Sequence, residues 1–243
     1  MGNNTLKSSV GMGQKIAFGF GMLANQMFPA ALGVFIIVLV QDLGFAALLW
    51  GIIQFAPRIF DAVTDPLMGF ISDNTKSKWG RRRQYVFVGG ILMGLAYVAM
   101  WQLYEDDGII YNFIYFFSWS LVFYLGLTIF SVPYVAMGYE ISDDFHERTQ
   151  IMAIAQFIGQ WAWVIAPWFW VILYDPAWFP DGAGQGVRDL SIWVAIPCTI
   201  FAIIPAIFIK SKSTLNRKDF LPVNSSYISK SIKGIFISAF EAF

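Results

Sequence analysis

The sequence is short of charge, cysteine and histidine, and each shortage excludes something. Only 13% of its 243 residues are charged, against about 25% in soluble domains. With 57% hydrophobic residues, including 24 Phe, 10 Trp and 10 Tyr, it is not an ordinary soluble globule. Nor is it a disordered chain, which needs low hydrophobicity. Its one cysteine, Cys198, allows no intrachain disulfide. Its one histidine, His146, stands among acids and Arg148 with no second His or Cys nearby, so it reads as a solvated loop residue rather than a metal ligand. No nucleophile–base pair, phosphate loop or nucleotide fingerprint is present, so neither an enzyme nor a cofactor is expected. Gly182, Gly184 and Gly186 read as a flexible loop, without the strand and helix a phosphate site needs. Sixteen basic residues balance sixteen acidic ones, which argues against nucleic acid as a partner. The polar opening MGNNTLKSSVGMGQK has no cleavage pattern, so the first apolar segment is expected to be retained.

What is abundant is apolar sequence in runs long enough to cross a bilayer, which takes about 20 residues. Six spans are expected, at about 16–40, 46–71, 85–103, 109–141, 149–174 and 191–209. They are too long and too continuous for barrel strands. The fold class is therefore an all-α membrane protein, a six-transmembrane-helix bundle. Fourteen of the sixteen basic residues fall on one side of these spans: Lys7, Lys15, Lys76, Lys78, Arg81–Arg83, Arg148 and six after span 6. The positive-inside rule puts both termini in the cytoplasm. Trp101, Tyr104, Tyr111, Tyr174 and Trp178 lie near the outer ends, where interface anchors sit. Pro29, Pro133 and Pro167 are central in spans 1, 4 and 5, and a 3+3 inverted repeat of spans 1–3 and 4–6 is one arrangement they suggest.

Span 2 carries charge where charge is expensive. In WGIIQFAPRIFDAVTDPLMGFISD, Arg58, Asp61 and Asp65 share one helical face. Each costs about 2.5–3.5 kcal/mol near mid-bilayer. Arg58 can partly neutralise Asp61, leaving Asp65 to invite a cation. Two carboxylates one turn apart, with Thr64 between them, make an oxygen cage for Na⁺ or a proton-binding pair. A buried ion pair that only fixes packing is the alternative. Asn25, Gln26, Gln156 and Gln160 put neutral polar groups in spans 1 and 5, beside Trp161, Trp163, Trp168 and Trp170. Amides plus flat aromatic faces suit a carbohydrate, although Gln is also common helix–helix glue.

One stretch has a recognisable signature. Asp65-Pro66-x-x-Gly69-x-x-Ser72-Asp73-x-Thr75, then Gly80-Arg81-Arg82-Arg83, resembles that of the glycoside–pentoside–hexuronide:cation symporters of the major facilitator superfamily. Lys15–Gly21, Arg58–Pro66, Val132-Pro133-Tyr134 and Glu147–Gln150 resemble the same family, over roughly residues 15–210. The resemblance implies the N-terminal half of a major facilitator fold, with a 3+3 inverted repeat, in the inner membrane. It implies cation binding by Asp61, Asp65, Thr64 and Thr128, with Na⁺ or H⁺ as coupling ion and no metal beyond that Na⁺. Thr64 stands where melibiose-type carriers of the family have Asn. Their sugar-binding Asp, Asp and Arg align with Gln26, Ser131 and Gln156. A neutral polar ligand could bind Asn25, Gln26, Arg58, Ser131 and Gln156. Gly69, Asp73, Gly80, Arg81, Arg82 and Arg83 match the cytoplasmic gating motif.

The expected activity is cation-coupled symport of a sugar or glycoside, with a small-molecule carbohydrate and the lipid bilayer as partners. An uncoupled or lipid-like-solute carrier, or a non-transporting membrane remnant, are the alternatives. The expected organisation is a cytoplasmic N-terminus at 1–15, the bundle at 16–210, a middle loop at 211–233 and the cut-short start of a seventh helix at 234–243. A carrier of this kind needs a missing C-terminal six-helix half.

Overall fold

The computed structural model describes residues 10–209. Most of 1–15 and all of 211–243, with the expected middle loop and seventh-helix start, lie outside the described residues. Among those described there are six α-helices and no strand: α1 (Met12–Gln41), α2 (Ala47–Asp73), α3 (Arg83–Met100), α4 (Ile109–Gly138), α5 (Phe145–Leu173) and α6 (Ala183–Phe208). A 3₁₀ turn, Glu105–Asp107, links α3 to α4. All except α2 are long and apolar enough to cross a membrane. The sequence of α2 is diluted by Arg58, Asp61 and Asp65. The 30 residues of α1 and of α4 make rods about 45 Å long, more than hydrocarbon thickness requires.

The helices follow the apolar runs with one clear departure. α6 starts at Ala183, eight residues before the expected span, and absorbs most of the supposed glycine loop. Packing decides this. A Cβ on Gly186 would come within 2.9 Å of Leu173 and 3.0 Å of Phe179, so glycine lets the first turn of α6 seat on the end of α5. Val187 and Leu190 then bury. Prolines at 29, 57, 66, 133, 167, 197 and 205 all sit inside continuous helices.

α1 is central and packs on α5 and α6; α4 packs on α3 and α2; α3 and α6 meet each other. Exchanging α1–α3 with α4–α6 turns α1–α5 into α4–α2 and α1–α6 into α4–α3, and leaves α3–α6 unchanged. The α3–α4 crossing is close: a Cβ on Gly89 would meet the Phe130 backbone N at 2.5 Å, and one on Gly126 the Met93 N at 2.8 Å. Small residues at such crossings let backbones approach where lipid gives no hydrophobic drive between helices.

The core between α1, α3 and α4 is aromatic. Tyr97 meets Phe28, Phe35 and Phe123, and Trp101 meets Phe35 and Phe116. Trp101 is 0% exposed, so it is a core residue and not an interface anchor. Its neighbours supply more apolar contact than a headgroup region would. Tyr104, Tyr111, Tyr174 and Trp178 are exposed, as anchors are.

Candidate functional site

α2 runs beside α4 and turns few of its side chains into the bundle; of its residues only Ile53, Pro57, Met68 and Ser72 are buried. That leaves Asp61 and Asp65 free to face a gap rather than a core. Asp61, Asp65, Leu127, Thr128 and Ser131 line a cavity of about 80 Å³ between α2 and α4, room for an ion or a water. Thr128 is buried and donates to Asp65 Oδ1 at 2.8 Å. Its Oγ1 also lies 3.4 Å from Thr64 Oγ1, and Thr64 donates to the Phe60 carbonyl at 3.0 Å. Asp61 Oδ1 is buried without a hydrogen-bond partner. A buried carboxylate oxygen without a partner costs several kcal/mol unless a proton or cation joins it.

Asp61, Asp65, Thr64 and Thr128 thus come together, as expected, and Ser131 joins them rather than standing with Gln26. Arg58 does not. No ion pair links it to Asp61 among the described residues, and it is exposed. Three-residue spacing makes them neighbours on the helix, and the Arg58 charge acts on Asp61 without a salt bridge between them. Asn25 and Gln26 are half-buried on α1, and Gln156 is exposed on α5. Gln26 Oε1 accepts from the Trp163 indole at 3.1 Å.

At one end of the bundle the arginine run closes a second cluster. Gly80 holds φ +94°, a left-handed turn that glycine adopts without strain, and this swings the three arginines toward α3. Arg82 pairs with Asp73 and with Glu140 (2.9 Å), and donates to the Ala136 carbonyl at 2.8 Å. Arg81 pairs with Glu140. Arg83 donates to the carbonyls of Ala206 (2.6 Å) and Ile207 (3.0 Å). The run therefore ties α2, α3, α4 and α6 together at their ends, where helix carbonyls favour cations. Gly69 is not at a tight crossing, since a Cβ there would meet only Val132 at an ordinary 3.8 Å. Sequence reasoning missed Glu140, one of several acids on the side that carries most of the basic residues. It also missed the link between α1 and α5, where Lys15 reaches Glu147 (3.8 Å) and Gln150 (3.1 Å).

Residues 17–227 match the family described as MFS/sugar transport protein. The chain belongs to that family. Several of its relatives are named symporters, consistent with the glycoside–pentoside–hexuronide:cation resemblance. It is 27% identical to an uncharacterized symporter of Synechocystis over 188 residues, 75% of this chain and 34% of the relative. It is 26% identical to a lactose permease of Leuconostoc lactis over 242 residues, 92% of this chain and 37% of the relative. It is 30% identical to a putative glycoside/cation symporter of Escherichia coli over 154 residues, 61% of this chain and 32% of the relative. The chain thus spans about a third of the length of the curated relatives it matches. Family membership and the apolar helices make it a multi-pass membrane protein of a transporter family.

Proposed function

We propose that this chain is the N-terminal half of a cation-coupled sugar or glycoside symporter, with Na⁺ or H⁺ held by Asp61, Asp65, Thr64 and Thr128. The observation that carries the reading is the partnerless, buried Asp61 Oδ1 facing a small cavity shared with Asp65, Thr128 and Ser131. With the Thr64 proton given to Phe60 and the Thr128 proton to Asp65, the two hydroxyl oxygens turn lone pairs toward each other. Hard oxygen ligands of this kind suit Na⁺. One bound Na⁺ or H⁺ would cancel one of the two carboxylate charges and change the cost of exposing α2 to a solute path. Asn25, Gln26, Arg58, Ser131 and Gln156 are the proposed solute contacts, with both termini cytoplasmic in an inner membrane. Relatives named for lactose and glycosides support the sugar class. Six further helices, from the rest of a longer protein or another chain, would face α2 and α5 across the path. On this reading 1–15, 211–233 and 234–243 are the cytoplasmic start, the middle loop and the start of a seventh helix.

The test is ²²Na⁺ binding to the purified chain in lipid nanodiscs. Saturable binding that falls at least about tenfold in both Asp61→Asn and Asp65→Asn supports the site. Proton release on Na⁺ addition marks sharing between the two ions. Binding unchanged by either substitution overturns it.

A further inference from the structure

α1 and α6 pack tightly for only part of their length. A Cβ on Gly21 would meet Pro205 Cγ at 2.5 Å, and Phe20 stacks on Phe201 with ring centroids 5.1 Å apart. Beyond that pair, toward the end of the bundle that carries the arginine run, the two helices part. The gap is an apolar groove of about 570 Å³, bounded by Gly13, Ile16, Ala17 and Phe20 of α1 and by Ile204 and Phe208 of α6. Gln14 is its one polar side chain. Cβ atoms at Gly11 and Gly13 would meet nothing within 4 Å, so glycine leaves the head of the groove open. From Gly11 to Phe20 the rise along α1 is about 14 Å. Ile16 and Phe208 are exposed, so the groove opens on the outside of the bundle. It is separate from the cavity between α2 and α4 that holds Asp61 and Asp65.

The head of the groove is positively charged. Arg81 and Arg82 pair with carboxylates. Arg83 instead donates to the carbonyls of Ala206 and Ile207, and it has no acidic partner among the described residues. Its guanidinium therefore sits at the end of α6, beside Phe208, with no carboxylate to balance it. Lys15 lies on the opposite side of α1, where Glu147 and Gln150 of α5 hold it. Both Glu147 oxygens already accept, from the Val10 N–H and the Ser142 hydroxyl. In the sequence Lys210 and Lys212 follow Phe208 closely, and chain length alone keeps them within about 8 and 15 Å of it. Neither 1–15 nor 205–218 contains an Asp or Glu.

We propose that this groove is a lipid site: it takes one acyl chain of an anionic phospholipid from the leaflet that meets the basic end of the bundle, with the lipid phosphate drawn to Arg83. An empty apolar groove forfeits contacts along its whole wall, and in a bilayer the molecule that can fill it is an acyl chain. The volume is that of a small-molecule site, about 300–1,000 Å³, and the long, narrow form suits a single chain. Charge selects the headgroup, because each basic residue near the membrane surface favours an anionic lipid by about fivefold. A guanidinium also matches the geometry of a phosphate. The site stands whether or not the carrier reading above holds.

The experiment places the full chain in phosphatidylcholine nanodiscs. A small fraction of either phosphatidylglycerol or phosphatidylcholine carries a photoactivatable diazirine in one acyl chain, and mass spectrometry maps the adducts. Phe20, Ile204 and Phe208 should be labelled at least about tenfold more by phosphatidylglycerol. Leu95 and Ile196, exposed on α3 and α6, should take both lipids alike. Arg83→Gln keeps a donor for the α6 carbonyls and should lower the preference about fivefold. Gly13→Leu fills the groove from a position with open space, and should remove the Ile204 adducts of both lipids while leaving those at Leu95. Slow reaction of the buried Cys198 thiol checks that each variant is folded. Equal labelling of the groove by both lipids overturns the anionic class, and a preference unchanged in Arg83→Gln overturns the headgroup assignment. Ile204 adducts that survive Gly13→Leu overturn the site. So does their absence from the wild type, the result expected if another part of the chain or a partner protein covers the groove.

Discussion

Arg82→Ala is the sharpest test of the clamp at the helix ends. The Arg82 side chain is 10% exposed, whereas its partners Asp73 and Glu140 are 47% and 41% exposed. Removing one member of a fully buried pair costs about 3–5 kcal/mol. Here both carboxylates can regain water, so their share must be discounted toward the small values of surface pairs. What cannot be recovered so easily is the Ala136 carbonyl and the packing of the arginine stem. A net loss of about 2 kcal/mol follows, most of it from that carbonyl bond and the partly shielded charges. Arg82→Lys keeps a charge but not the fork that reaches three acceptors, and should lose about half as much. Arg81→Ala should lose less than about 1 kcal/mol, because its carboxylate partner is exposed and its bond to the Asp73 carbonyl is long at 3.4 Å. The single cysteine supplies the assay, since Cys198 lies buried in α6. Its labelling rate by a thiol-reactive fluorophore follows the open fraction of the bundle when closing is fast. A 2 kcal/mol loss speeds labelling about 30-fold. Arg82→Ala labelled at the wild-type rate, or Arg81→Ala labelled faster than Arg82→Ala, would refute the reasoning.

Other substitutions separate neighbouring explanations. Gly126→Ala should destabilise by about 1–3 kcal/mol in the same thiol assay, because its Cβ meets α3 backbone that cannot swing away; Gly33→Ala, with nothing within 4 Å, should be neutral or slightly stabilising. Trp101→Ala should cost about 3–5 kcal/mol as a cavity mutation, while Trp178→Ala, exposed at the end of the bundle, should leave labelling within about twofold. Thr128→Val should weaken ²²Na⁺ binding about tenfold by removing the donor to Asp65, and Thr128→Ser should retain it; equal binding by both variants would remove Thr128 from the site.

The parts of this molecule that were legible in its sequence are those set within one helix. Apolar length located the six rods to within a few residues at most of their ends. The i, i+4 spacing of Asp61 and Asp65 put both carboxylates on one side of α2 before any neighbour was known. Where an outcome depends on what another helix brings, local pattern misleads. Gly184 and Gly186 look like loop residues because glycine lowers helix propensity, yet the Leu173 and Phe179 side chains need the space a glycine leaves. Trp101 sits where an interface tryptophan would, but Phe35 of α1 and Phe116 of α4 close over it. Arg58 has an acid three residues away and acts on its charge without forming an ion pair with it.

The contact between Gln26 and Trp163 spans 137 residues and depends on the rotation of α1 against α5. No spacing rule reaches that far, which is why Gln26 alone reads as a neutral polar position. Once the indole fixes its amide, the same residue carries a polarity. In a bilayer this matters more than it would in water. A misdirected donor there has no solvent to turn to.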